Sequence, residues 1–123
     1  MDELNFLPKL RSETDATPPQ TVPNTMSDIT SEELKKRQAA GEKLVILDVR
    51  EGWEYEESRI EGSQHIPLGS LPQRVDELED FKEGEVIVHC KGGSRSNSAK
   101  AFLAQNGFRN VRNLIGGITA YQQ

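Results

Sequence analysis

The chain has 123 residues, enough for one domain whose core buries roughly two thirds of the surface its unfolded chain exposes. A formal net charge of -5 with no basic stripe argues against nucleic acid and anionic membranes as partners, although a small anion can still bind locally. A single cysteine excludes an internal disulfide, no stretch approaches transmembrane length, and "MDELNFLPKL" lacks the parts of a secretory leader; a reducing, cytoplasmic setting is expected.

Residues 1–25 read as a flexible N-terminal tail or linker. "SETDATPPQTVPNT" is rich in Pro, Thr and acidic side chains and has too little apolar content to offset the entropy of ordering it. "LNFLPKL" before it is apolar enough to dock on the domain or on a partner, but Pro8 discourages a long helix. The folded domain is expected over residues 26–123. Thr30 and Glu33 have the spacing of a capping box, and Ile29 and Leu34 that of a hydrophobic staple, so a helix should begin there and stop at Gly41.

"LVILDV" is a short apolar, β-branched run that suits a strand covered on both faces. The acidic "EGWEYEESRIEG" reads as a solvated helix face and turn, and "SQHIPL" as a weaker strand. "LPQRVDELEDF" carries Leu71, Val75 and Leu78 at helical spacing. "VIVHC" is the second strong strand, followed by a helix with Ala99, Phe102 and Leu103 on one face that ends at Gly107. "NVRNLI" reads as a last strand before a terminal helix from Gly117. Strands alternating with helices predict an α/β fold with a parallel sheet covered on both faces, whose ligands sit beyond the carboxyl ends of the strands. Cys90 falls at that edge.

The sequence "CKGGSR" then matters chemically. Gly92 and Gly93 let the backbone curl so that successive N–H groups point into one concavity, and the following helix start, Lys91 and Arg95 add positive potential. Such surroundings favour a thiolate, so a lowered pKa is expected for Cys90. The other reading of Cys90 is a small buried hydrophobe at a strand end. A phosphate loop would need GxxxxGK[ST], which is absent. A metal site fails on numbers, because His89 and Cys90 are strand neighbours pointing to opposite faces and only His65 remains. His65 reads as a turn or surface residue, with a Cys/His pair left open. Ser94 and Ser96 read as helix-start residues, and Trp53 and Tyr55 as packing residues or as the border of a pocket.

From about Asp28 to Tyr121 the chain resembles the rhodanese family of single-domain sulfurtransferases, on "LVILDVRE", "RIEGSQHIPL", "VIVHCKGGSRS" and "NLIGGITAY" in that order. The resemblance implies a rhodanese-like fold with a five-stranded parallel sheet and helices on both faces. It also implies a nucleophilic Cys90 that carries sulfur as a persulfide, with an active-site loop of Cys90, Lys91, Gly92, Gly93, Ser94 and Arg95. No cofactor and no metal are implied. Related dual-specificity phosphatases and arsenate reductases have one more residue between cysteine and arginine, so the C-x4-R spacing here disfavours oxyanion chemistry. In the family the acid and base of "DVRE" brace the sheet edge, which would make Asp48 and Arg50 supports; ordinary strand-end charges are the other reading. Family members commonly have histidine where Arg59 stands and alanine where Ser63 stands.

The expected reaction is attack of the Cys90 thiolate on the outer sulfur of a donor such as thiosulfate, followed by delivery to a thiol, cyanide or an acceptor protein. Lys91 either attracts anionic donors or solvates the surface. Arg95 either touches substrate or pairs with an acidic neighbour and holds the loop. A non-catalytic module that binds an anion or a partner is the competing function. The same motifs also resemble the rhodanese module at the C-terminus of adenylating enzymes that activate ubiquitin-like sulfur carriers, for which residues 1–25 would be a linker.

Overall fold

The computed structural model describes residues 28–123. The expected tail, with "LNFLPKL", lies outside the described residues. Helix α1 (Ser31–Ala39) starts as its sequence dictates: Thr30 is extended, and its Oγ1 accepts the Glu33 N–H at 3.0 Å. The reciprocal half of the capping box is replaced, because the Glu33 carboxylate accepts from the guanidinium of Arg112 at 3.0 and 3.2 Å. A charged fork is a better partner than a single backbone N–H. The staple residues Ile29 and Leu34 are both fully buried.

Strands β1 (Ile46–Asp48), β2 (Gln64–His65), β3 (Glu85–His89) and β4 (Asn110–Asn113) form a parallel sheet in the order β2-β1-β3-β4. Beyond β4 the fifth position of the sheet is held by one parallel bridge, Ile29 to Leu114. Ile29 donates to Asn113 O at 3.1 Å and accepts from the Ile115 N–H at 2.9 Å. The fifth strand is cut to that bridge because Thr30 already turns the chain into α1.

Period-two alternation divides the core between the two faces of the sheet. Leu47 and Val49 of the first strand region and Val86, Val88 and Cys90 of the central one point to the same face. There they meet Ala99 and Leu103 of helix α4 (Ser94–Gln105). Ile46 and Ile87 point the other way, against Leu34 of α1 and Ile118 of helix α5 (Gly117–Tyr121). The segment expected as one helix over "LPQRVDELEDF" divides into α3 (Leu71–Arg74) and a 3₁₀ stretch, Val75–Phe81. A 3₁₀ turn has three residues, so Val75, Leu78 and Phe81 line up on one edge, and all three pack on the first core face. Between β1 and β2 lies the short helix α2 (Gly52–Glu57). No helix among the described residues is long and apolar enough to cross a membrane.

Candidate active site

The parallel register brings the carboxyl ends of three strands level, with Asp48 opposite both His65 and His89, and Cys90 one residue beyond β3. The loop from Cys90 then curls back on its own sulfur. Gly93 caps α4 with φ +118°, a conformation that side chains resist, and its N–H donates to Cys90 Sγ at 3.1 Å. The Ser96 hydroxyl lies 3.4 Å from the same sulfur. Burial pushes the Cys90 thiol up, but hydrogen bonds from the Ser96 hydroxyl and from the Ser96, Gly93 and Arg95 amides outweigh it and leave the thiol below its ordinary value. The Cys90 side chain is buried.

The cations act differently from one another. The Arg95 guanidinium is spent on Glu54, with Nη1 to Oε1 at 2.7 Å and Nη2 to Oε2 at 3.0 Å. Of the two readings of Arg95, the pair with an acidic neighbour is the one present. Glu54 is therefore not part of a solvated face as the acidic run suggests. It is buried, its Oε1 also accepts the Glu51 N–H at 2.9 Å, and the Arg95 bond pulls its carboxyl down to about 2. Lys91 is exposed and makes no ion pair with any described residue. It lines a cleft of about 150 Å³ with Trp53, Thr119 and Gln122. Trp53 thus borders this cleft, whereas Tyr55 stacks on His65 with ring centroids 4.5 Å apart, under the Arg59 guanidinium at 4.3 Å.

Asp48 and Arg50 form a buried fork: Asp48 Oδ2 accepts from Arg50 Nη2 at 2.7 Å, and Oδ1 accepts from the Arg50 backbone N–H at 3.0 Å. Arg50 Nη2 also donates to Ser58 O at 2.7 Å, which ties the end of α2 to β1. Burial pushes the Asp48 carboxyl up, but the hydrogen bonds from the Arg50 guanidinium and backbone N–H together with the nearby positive charge outweigh it and leave the carboxyl below its ordinary value. His65 is half-buried, with Nε2 2.8 Å from Arg50 O, in the shell around the sheet edge and not paired to Cys90. His89 is fully buried on the opposite face from the Cys90 side chain. Its Nδ1 lies 3.2 Å from Cys90 O, and desolvation holds it below the usual histidine range. Ser94 opens α4 as expected, but Ser96 does more than start the helix, because its hydroxyl reaches the sulfur.

Three residues at this site escape sequence reasoning. Glu54 sits in an acidic run that looks like any other charged surface. Asn113, whose Oδ1 accepts from Ser96 Oγ at 2.6 Å, gives no signal as a strand-end asparagine. Gly117 had a signal in the Gly-Gly pair before α5. Its φ is +60°, and a Cβ there would overlap the Lys91 backbone and lie 2.6 Å from Cys90 O. This close approach lets the Ile118 and Thr119 N–H groups donate to Cys90 O and Lys91 O at 2.9 and 3.2 Å, so α5 clamps the loop from behind. No cluster of three or more His, Cys, Asp or Glu among the described residues is arranged to hold a metal ion.

Comparison with known proteins agrees with this architecture. The family model for the rhodanese-like domain matches residues 30–123. A sulfurtransferase of Allochromatium vinosum is 34% identical over 96 residues, covering 78% of this chain and 88% of that protein. YrkF of Bacillus subtilis, whose name marks it as a candidate sulfur carrier protein, is 37% identical over 95 residues, 77% of this chain but only 50% of its own length. The solved thiosulfate sulfurtransferase of Pseudomonas aeruginosa superposes with a TM-score of 0.68 at 33% identity, over 80% of this chain and 19% of that one. The chain thus spans most of one relative and a half or less of the others. With a parallel sheet, a cysteine loop at its carboxyl edge and a family match over three quarters of its length, the chain belongs to the rhodanese-like domain family.

Proposed function

We propose that the domain moves sulfane sulfur through Cys90. The observation that carries this reading is the position of Sγ, 3.1 Å from the Gly93 N–H and 3.4 Å from the Ser96 hydroxyl, in a loop with C-x4-R spacing. The thiolate attacks the outer sulfur of a donor such as thiosulfate. The Sγ–S bond forms, the donor S–S bond breaks, and sulfite leaves with the electron pair. The new outer sulfur carries the negative charge and lies among the backbone N–H groups of residues 91–95, whose fixed dipoles stabilise it. A thiol, cyanide or acceptor protein then removes it, returning the Cys90 thiolate.

Lys91, exposed and in no ion pair with a described residue, adds positive potential beside Cys90 that draws anionic donors towards the loop. Arg95, Asp48, Arg50 and Ser96 support the loop. Sulfurtransferase and sulfur-carrier relatives favour a donor and an acceptor of this kind, and a lone cysteine kept reduced fits a cytoplasmic setting. The test is intact mass after incubation with thiosulfate, for the native chain and for Cys90→Ser, followed by cyanide and assay of thiocyanate. One added sulfur atom on the native chain only, discharged by cyanide, is the expected result. Failure to add sulfur from thiosulfate and from a second sulfane donor would overturn the reading in favour of a module that only binds.

A further inference from the structure

The Ser96 hydroxyl has one hydrogen and more acceptors than it can serve. Asn113 Oδ1 lies at 2.6 Å, Gly93 O at 3.2 Å and Cys90 Sγ at 3.4 Å. The Asn113 amide cannot yield by turning over. Its Nδ2 donates to Gly93 O at 3.2 Å, and the reverse orientation would set two oxygens against each other. Its backbone is pinned as well, because the Asn113 N–H donates to Asp28 Oδ1 at 3.0 Å, an oxygen that also binds Lys100 Nζ at 2.6 Å. A fixed amide oxygen and a reactive sulfur therefore face one hydroxyl proton from two sides.

We propose that Asn113 is a positioning residue that tunes the reactivity of Cys90 by competing with its sulfur for the Ser96 proton; this rests on the nucleophilic role of Cys90 proposed above. While the sulfur is neutral the proton lies on Asn113 Oδ1, the nearer acceptor. When the thiolate forms, a charged acceptor draws the proton to Sγ. Once the Sγ–S bond has formed and sulfite has left, the negative charge sits on the outer sulfur in the loop, and the hydroxyl turns back to Oδ1. The thiol proton is lost to solvent when the thiolate forms; the Ser96 proton is never transferred, and the hydroxyl only rotates. Asn113 thus keeps Ser96 from over-stabilising the thiolate and gives its proton a partner in the persulfide state.

The test is the pH profile of iodoacetamide alkylation of the full chain, in which Cys90 is the only thiol. The other charged and titratable groups around the loop remain in every variant: Lys91, Arg95 with Glu54, His89 with Asp48 behind it, and Asp28 with Lys100. Asn113→Ala should move the alkylation midpoint down, giving roughly three to ten times more thiolate at a pH below it, the scale of one hydrogen bond. Ser96→Ala should move the midpoint up, and in that background Asn113→Ala should have no further effect. Asn113→Leu fills nearly the same space without an acceptor, so it should also move the midpoint down and carries the test should the alanine variant not fold. A midpoint unmoved by Asn113→Ala and Asn113→Leu, or moved equally with and without the Ser96 hydroxyl, overturns the proposal. Alkylation reads the thiolate whether or not Cys90 accepts sulfur. A shifted midpoint without sulfur loading would therefore sink the transfer reading and leave the role of Asn113 standing.

Discussion

Gly117 touches no substrate in the proposed reaction, yet it decides where the reactive loop can be. Its backbone passes so near Cys90 and Lys91 that no Cβ fits, and its φ of +60° disfavours any other residue. Gly117→Ala must either push α5 away from the loop or push the loop toward the solvent. The expected loss of stability is about 2–4 kcal/mol, from steric overlap together with a strained backbone dihedral. The two consequences separate experimentally. Chemical denaturation reads the stability, and thiosulfate loading of the fraction that remains folded should fall as well, because the N–H groups around Sγ shift with the loop. Loading at the native rate in a folded Gly117→Ala protein would show that the clamp from α5 does not set the geometry around the sulfur.

At the scale of elements, α2 and the start of α4 meet through one bidentate pair, Glu54 with Arg95. Glu54 is buried and Arg95 is about a third exposed (34%), so the pair is neither a screened surface contact nor a fully desolvated one. Glu54→Gln and Arg95→Met should each lower stability by about 1–2 kcal/mol, and the double variant should cost little more than either alone. Both should slow sulfur loading to a similar extent. If Arg95→Met alone raises the thiosulfate KM while Glu54→Gln leaves it unchanged, Arg95 touches substrate and the pair is incidental. This contact also marks where the sequence stops being informative. Apolar runs such as "LVILDV" and "VIVHC" announce their strands because burial on both faces demands such residues, and Gly92-Gly93 after a strand-end cysteine announces the loop. Which carboxylate in an acidic run turns inward depends on the partner that the fold brings to it. The same holds for Asn113, whose use follows from the register that sets it opposite Val88, two residues before Cys90.

The molecule as a whole places its charged groups so that acid acts on it in two stages. Asp28, Glu33, Asp48, Glu54 and Glu85 are all held below their ordinary carboxylate values, in most cases by a hydrogen-bonded cation and against an opposing desolvation. Each contributes stability that is complete above its unfolded value of 3.8 or 4.5 and is lost as pH falls towards its folded one. His89 acts earlier and by desolvation. The native chain resists its protonation, whereas the unfolded chain takes up a proton near 6.5, so stability falls with pH from there on. Between about pH 6.5 and pH 5, His89 is the only one of these groups with a changing contribution. The urea midpoint of the native chain should therefore decline over that range, and that of His89→Gln, whose amide can still donate towards Cys90 O, should stay level until the carboxylates begin to protonate. The opposite slope is also informative. His89 Nε2 lies 3.6 Å from Asp48 Oδ2, and if that contact held an imidazolium the folded pKa would be raised, so that the native chain gained stability relative to His89→Gln as pH fell. Burial of His89 with no hydrogen-bond partner on Nε2 favours the neutral ring and hence the decline.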